Sequence, residues 1–176
     1  MPKKIAIHEA PAVKGSRYPA PHDQPCRERF RRCLGDAAGL TQFGVNLNRL
    51  PPGSWSSQRH WHSAEDEFIF VVEGEVVLVT ETGEETLRAG DCAGFKAGEP
   101  DCNHLQNRGE ATALILKSTL DVPANPMSNI PISTFVCAPK ATSARTAPPV
   151  APDPIREVAL RFWHSIAATR SKRGSH

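Results

Sequence analysis

Residues 41–117 form a succession of short apolar runs, each cut off by glycine, proline or charge, with nothing of helical length between them. Phe43, Val45 and Leu47 alternate with polar neighbours and then meet Pro51, Pro52 and Gly53, the pattern of a strand entering a turn. Residues 68–72 and 76–80 read as two strands joined at Glu73 and Gly74, and Thr82 with Gly83 makes the next turn. Shorter strands follow at 85–87, 92–95, 104–106 and 113–117. So many strands in series predict an all-β, antiparallel sandwich or barrel.

The flanks read differently. Residues 1–40 hold PAVKGSRYPAPHDQP, an irregular arm expected to pack over the barrel, followed by RERFRR and a turn-like LGDAAG. Residues 119–154 form a linker or strap: eight prolines among alanine, serine and threonine between 121 and 154 leave too little apolar surface for a core. One amphipathic helix is expected at 155–170. Asp153 caps it, Pro154 suits its first turn, and Ile155, Val158, Phe162, Trp163 and Ile166 recur at helical spacing.

Composition narrows the class. With 176 residues, 39% hydrophobic residues, 23% charged residues and a net charge of +2, the chain is sized for one globular domain with extensions and is too apolar to be wholly disordered. No apolar run reaches the length of a membrane span, and the start, MPKKIAIHEAP, lacks an apolar signal core, so the sequence reads as cytoplasmic. Five scattered cysteines lack a CxxC pair that would suggest a zinc knuckle or redox dithiol, and most of them read as buried small hydrophobes. The arginines of RERFRR read as a solvated strand or an ion-paired edge. The low net charge and the lack of an aromatic platform argue against nucleic acid as a partner.

The chemistry concentrates in RHWHSAEDEFIFVVEGE, residues 59–75. In an extended segment His60 and His62 project to one side and Trp61 to the other. A bend through the polar residues 63–66 brings Glu67 alongside. Two imidazole nitrogens and one carboxylate oxygen then make a facial set for a divalent first-row metal (Fe, Mn, Ni or Zn), with coordination positions left over for water or substrate.

This segment closely resembles the first motif of the cupin superfamily: HxH, four residues, Glu, six residues, Gly, here His60, His62, Glu67 and Gly74. Gly53 matches the motif's earlier glycine, with one more intervening residue than is usual. Fifteen residues separate Gly74 from Gly90, the short spacer of small single-domain microbial cupins. The second motif is looser. Lys96-Ala97-Gly98 stands where the family has Pro-x-Gly, and counting back from Asn107 the family's histidine falls on Asn103, one place before His104. Either His104 supplies a fourth ligand through a local shift, or it points outward and Asn103 offers an oxygen, since neighbours in a strand face opposite ways. His104 is the favoured ligand.

The resemblance spans residues 40–118 and implies a single jelly-roll (double-stranded β-helix) barrel at 41–118 with the metal inside. Its wall would draw on Phe43, Val45, Ile69, Phe70, Val77, Leu78, Phe95, Leu105 and Ile115. It also implies a small-molecule ligand, polar or carboxylate-bearing, and a homodimer, with no nucleic-acid or membrane partner. The family includes isomerases, lyases, dioxygenases and non-catalytic ligand-binding modules, so the resemblance does not select one reaction.

Overall fold

The computed structural model describes residues 4–120 and Cys137. The chain divides into two units, Met1–Arg145 and Thr146–His176, and all described residues belong to the first. The proline-rich segment beyond 120, apart from Cys137, and the helix expected at 155–170 lie outside the described residues.

Among the described residues, nine strands form two antiparallel sheets. The larger has the order β1 (Ala12–Lys14), β2 (Phe30–Cys33), β3 (Phe43–Leu50), β9 (Ala113–Leu120), β4 (Glu67–Glu73), β7 (Cys92–Phe95). The smaller has the order β6 (Glu84–Arg88), β5 (Glu75–Val79), β8 (His104–Gln106). This is the jelly-roll, all-β architecture expected from the sequence. The seven strands read between 41 and 117 are all present. The arm departs from the expectation: β1 and β2 extend the large sheet past β3, and LGDAAG forms a five-residue helix, α1 (Leu34–Ala38), closed by Gly39 in the left-handed conformation. Arginines hold this arm in place, which a reading of runs and turns does not register. Arg29 donates to the carbonyls of Gly15 and Ser56, and Arg32 to those of His8 and Ala10.

The core lies between the sheets. Leu50, Ile69, Val71, Ala113 and Ile115 from the large sheet meet Val76, Leu78, Leu87 and Leu105 from the small one. Burying each of the larger of these side chains contributes roughly 1.5–3 kcal/mol. Strand alternation decides which residues take part. Ile69, Leu78, Leu105 and Ile115 face inward as expected, with Phe95 packed against them. Phe43, Val45, Phe70 and Val77 occupy the opposite parity and face outward, so they are not wall residues, and Phe43 is 42% exposed. The β4–β5 connection fixes the register of both sheets. Gly74 has φ 76°, and a Cβ there would stand 3.0 Å from the Thr112 carbonyl oxygen and 3.1 Å from Ala113 Cα. Only glycine fits without displacing backbone.

The cysteine reading holds for Cys26 and Cys33, which are buried. Cys102 is also buried and pairs with Cys137 across a sequence separation of 35 residues, whereas Cys92 is exposed. Among the described residues no helix is long and apolar enough to cross a membrane.

Candidate metal centre

The inner face of the large sheet changes character along its length. At one end it carries Leu50, Val71 and Ala113, all fully buried; at the other, the same strands carry Asn46, Asn48, Glu67 and Lys117 at the same parity. The apolar end closes the core and the polar end faces the histidine segment.

That segment pairs with the small sheet by its backbone. Ser56 N–H donates to Leu105 O at 2.8 Å, and Asn107 N–H to Ser54 O at 2.9 Å. His60 and Asn103 exchange both backbone bonds at 3.1 and 2.9 Å, forming an isolated bridge. Residues opposite each other in such a bridge present their side chains to the same side. His62 lies just beyond, its carbonyl accepting from Gly98 N–H at 2.9 Å. The bend at 63–66 is pinned by Asp66 Oδ1, which accepts from Ala97 N–H at 2.8 Å. Glu67 then opens β4 with its side chain inward.

These connections bring together three of the four expected ligands. His60 Nε2 lies 3.2 Å from His62 Nε2, and His62 Nε2 lies 3.2 Å from Glu67 Oε2. One ligand atom from each of His60, His62 and Glu67 falls within 4.8 Å of the other two. Ligands at about 2.1 Å from a common ion, at tetrahedral or octahedral angles, stand roughly 3.0–3.4 Å apart. The two shortest separations match that edge length. The rings are also oriented from behind. His60 Nδ1 donates to Gln58 O at 2.8 Å, which leaves the Nε2 lone pair turned toward His62, and His62 Nδ1 sits 3.3 Å from Glu65 Oε2. Histidines held this way, by a carbonyl or carboxylate on the nitrogen away from the ion, are typical of metal sites.

The electrostatics suit a cation. Burial would raise the Glu67 carboxyl, but Lys117 and the hydrogen bond from His62 outweigh it and hold the group at about 2. It is a carboxylate at any ordinary pH. Burial first, and then Lys117, lowers His60, which keeps its imidazole neutral and its lone pair available. By geometry, orientation and charge, the residues present fit a divalent ion.

His104, the favoured fourth ligand, is not brought to the cluster. Alternation puts Asn103 and Leu105 on the inner side and turns His104 the other way. Its Nδ1 pairs with Ser57 O at 3.0 Å, its Nε2 with Gln106 Nε2 at 2.8 Å, and its ring packs edge-on against Trp55. Burial lowers its pKa to about 4, so it is a neutral core imidazole. Asn103, 7% exposed, stands on the His60 side. A crevice of about 60 Å³ between Trp61, His62 and Glu65 on one side and Phe95, Lys96 and Asn103 on the other reaches this point.

Two residues here escaped the sequence reading. Arg59 is 7% exposed; its Nη2 lies 2.5 Å from Glu81 Oε1 and its guanidinium donates to Cys102 O. Lys117, in the last strand read from the sequence, places its Nζ 2.6 Å from Glu67 Oε2. Its signal was parity: in ALILKSTL it falls two residues after Ile115, on the same face.

Comparison with known proteins agrees with this architecture. A family model described as "Cupin domain" matches residues 46–119. The chain is similar to a crystal structure from Silicibacter pomeroyi described as a sugar phosphate isomerase from a cupin superfamily. Identity is 43% and the TM-score 0.67, covering 69% of this chain and 77% of that one. It is also similar to an Acidithiobacillus ferrooxidans structure provisionally described as a sugar phosphate isomerase. There the identity is 30% and the TM-score 0.51, covering 52% of this chain and 58% of that one. A polyketide cyclase from Streptomyces resistomycificus shares the fold at 19% identity and a TM-score of 0.57, covering 77% of this chain and 99% of that one. No curated protein matches the sequence.

Proposed function

Because this chain belongs to the cupin superfamily, we propose that it is a divalent-metal protein that isomerises a sugar phosphate. In this reading His60, His62 and Glu67 hold the ion and Asn103 stands beside it as an oxygen donor. The observation that carries it is the convergence of those three ligand atoms within 4.8 Å. The reaction class rests on the Silicibacter pomeroyi structure, similar over 77% of its length and bearing that description.

When bound, the ion supplies Lewis-acid polarisation of substrate oxygens. The chain's own residues do the rest. Gln58 O and Glu65 fix the two rings so that their Nε2 atoms stay turned to one point. Ile69, Val71 and Ile115 wall the site on its apolar side and keep the local dielectric low, which strengthens every charge interaction there. Lys117 Nζ holds a proton against Glu67 Oε2 at the edge of the ligand set. We also read the protein as a homodimer: Phe43 and Phe68, 42% and 47% exposed, lie on the outer face of the large sheet beside Val45 and Phe70, an apolar surface suited to a second copy.

Metal content and activity test the reading together. Purified protein loaded with manganese, iron, nickel or zinc is expected to retain one ion per chain and to interconvert aldose and ketose phosphates. Retention of the ion with no turnover of any sugar phosphate would make it a ligand-binding module instead.

A further inference from the structure

Lys117 and the cluster share a single atom. Glu67 Oε2 faces His62 Nε2 at 3.2 Å and accepts from Lys117 Nζ at 2.6 Å. A divalent cation drawn to His60, His62 and Glu67 therefore takes the oxygen that neutralises the ammonium, and the two positive charges repel. On loading, Lys117 loses its counter-charge while its strand keeps it on the inner face. Its ladder partners are Ile69 on β4 and Asn46 on β3, with the buried Asn48 two residues further along β3.

A second cation lies on the same surface. Arg31 pairs with Asn48 across β2 and β3, at the parity of the buried Cys33, whereas Phe30 and Arg32 face the other way and engage each other. Arg31 Nε is buried and has no hydrogen-bond partner among the described residues. A buried donor left unpaired is costly and points to a missing acceptor. Arg31 and Lys117 sit two strands apart, about 10 Å between backbones, with Asn46 and Asn48 on the strand between them. A guanidinium and an ammonium carried on the strands to either side of two amides supply the donors that a tetrahedral or planar anion needs.

Building on the metal reading above, we propose that Arg31, Asn46, Asn48 and Lys117 form a subsite for the phosphate of the substrate, and that occupation of His60, His62 and Glu67 by the metal opens it by releasing Lys117. Metal and anion then help each other to bind. Linkage requires the effect to be reciprocal.

Titration calorimetry with manganese(II), with and without inorganic phosphate, tests this in the wild type and in Lys117→Met, Lys117→Arg and Arg31→Gln, with circular dichroism to verify folding. Phosphate is expected to tighten manganese binding at least about 5-fold in the wild type. The gain should fall below about 2-fold in Lys117→Met and Arg31→Gln and be retained in part in Lys117→Arg. Without phosphate, Lys117→Met should bind manganese more tightly than the wild type, because the competing ammonium is gone. Coupling of equal size in the wild type, Lys117→Met and Arg31→Gln means that phosphate meets only the ion and overturns the subsite, leaving the metal reading intact. Failure of the wild type to bind any divalent ion overturns the metal reading itself, and the gate with it.

Discussion

His60 and His62 bring their Nε2 atoms to 3.2 Å from each other with the ring planes at 76°, although His62 lies outside any strand. Their approach is imposed by the backbone bridge of His60 to Asn103 and by the bond from Gly98 to the His62 carbonyl. The first expectation follows: His60→Ala and His62→Ala each lose the ion at equimolar metal, whereas His104→Ala keeps it. Metal content by mass spectrometry after gel filtration separates these outcomes.

Glu65 acts at one remove. Its carboxylate lies 3.3 Å from His62 Nδ1, on the side away from the cluster. Glu65→Ala should weaken metal affinity by roughly 10-fold without abolishing it, the usual effect of losing a partner behind a ligand. Competition with a chromophoric chelator measures the change.

Acid should weaken the fold before it discharges the carboxylate. His104 is held neutral to about pH 4 by burial, while an unfolded histidine takes up a proton near 6.5. The unfolded state therefore binds more protons than the folded one between these values, and stability falls as pH drops from about 6.5 to 4, by about 3 kcal/mol in all. Glu67 has the opposite reference. Its depressed pKa stabilises the fold above the ordinary carboxyl range, and that contribution fades only as pH falls toward about 2. Urea midpoints of the metal-free protein at pH 7 and pH 4.5 should differ clearly, and in His104→Gln the difference should shrink.

Asn107 and Gly74 hold the frame rather than the chemistry. Asn107 is 1% exposed; its Nδ2 donates to Leu50 O and Ala111 O, and its Oδ1 accepts from Gly109 N–H. Asn107→Ala removes three hydrogen bonds, one of them to the buried Leu50 carbonyl, and should cost about 1–3 kcal/mol. Gly74→Ala should cost about 1–3 kcal/mol, since its φ of 76° and the nearby Thr112 carbonyl both exclude a Cβ. Thermal melts measure both losses.

The strands between 41 and 117 were legible because each ends in its own turn chemistry, and Glu67 was legible because its spacing from the histidines survives the bend. Parity was harder. Ile69 and Phe70 are equally apolar neighbours, and only the observed register shows that the first is core and the second faces out. The same one-residue step separates Asn103 from His104: a motif read as a list of residue types favours the histidine, whereas the bridge to His60 selects the asparagine side. Lys117, Arg31 and the Cys102–Cys137 pair depend on contacts between segments far apart in the chain, which local pattern does not carry.

The most direct measurement of the central claim is anomalous scattering from crystals of the metal-loaded protein, collected at the absorption edge of the ion. A single peak within about 2.3 Å of His60 Nε2, His62 Nε2 and Glu67 Oε2, and remote from His104, is the expected result. A peak elsewhere, or stoichiometric metal that survives the His60→Ala, His62→Ala double substitution, contradicts it.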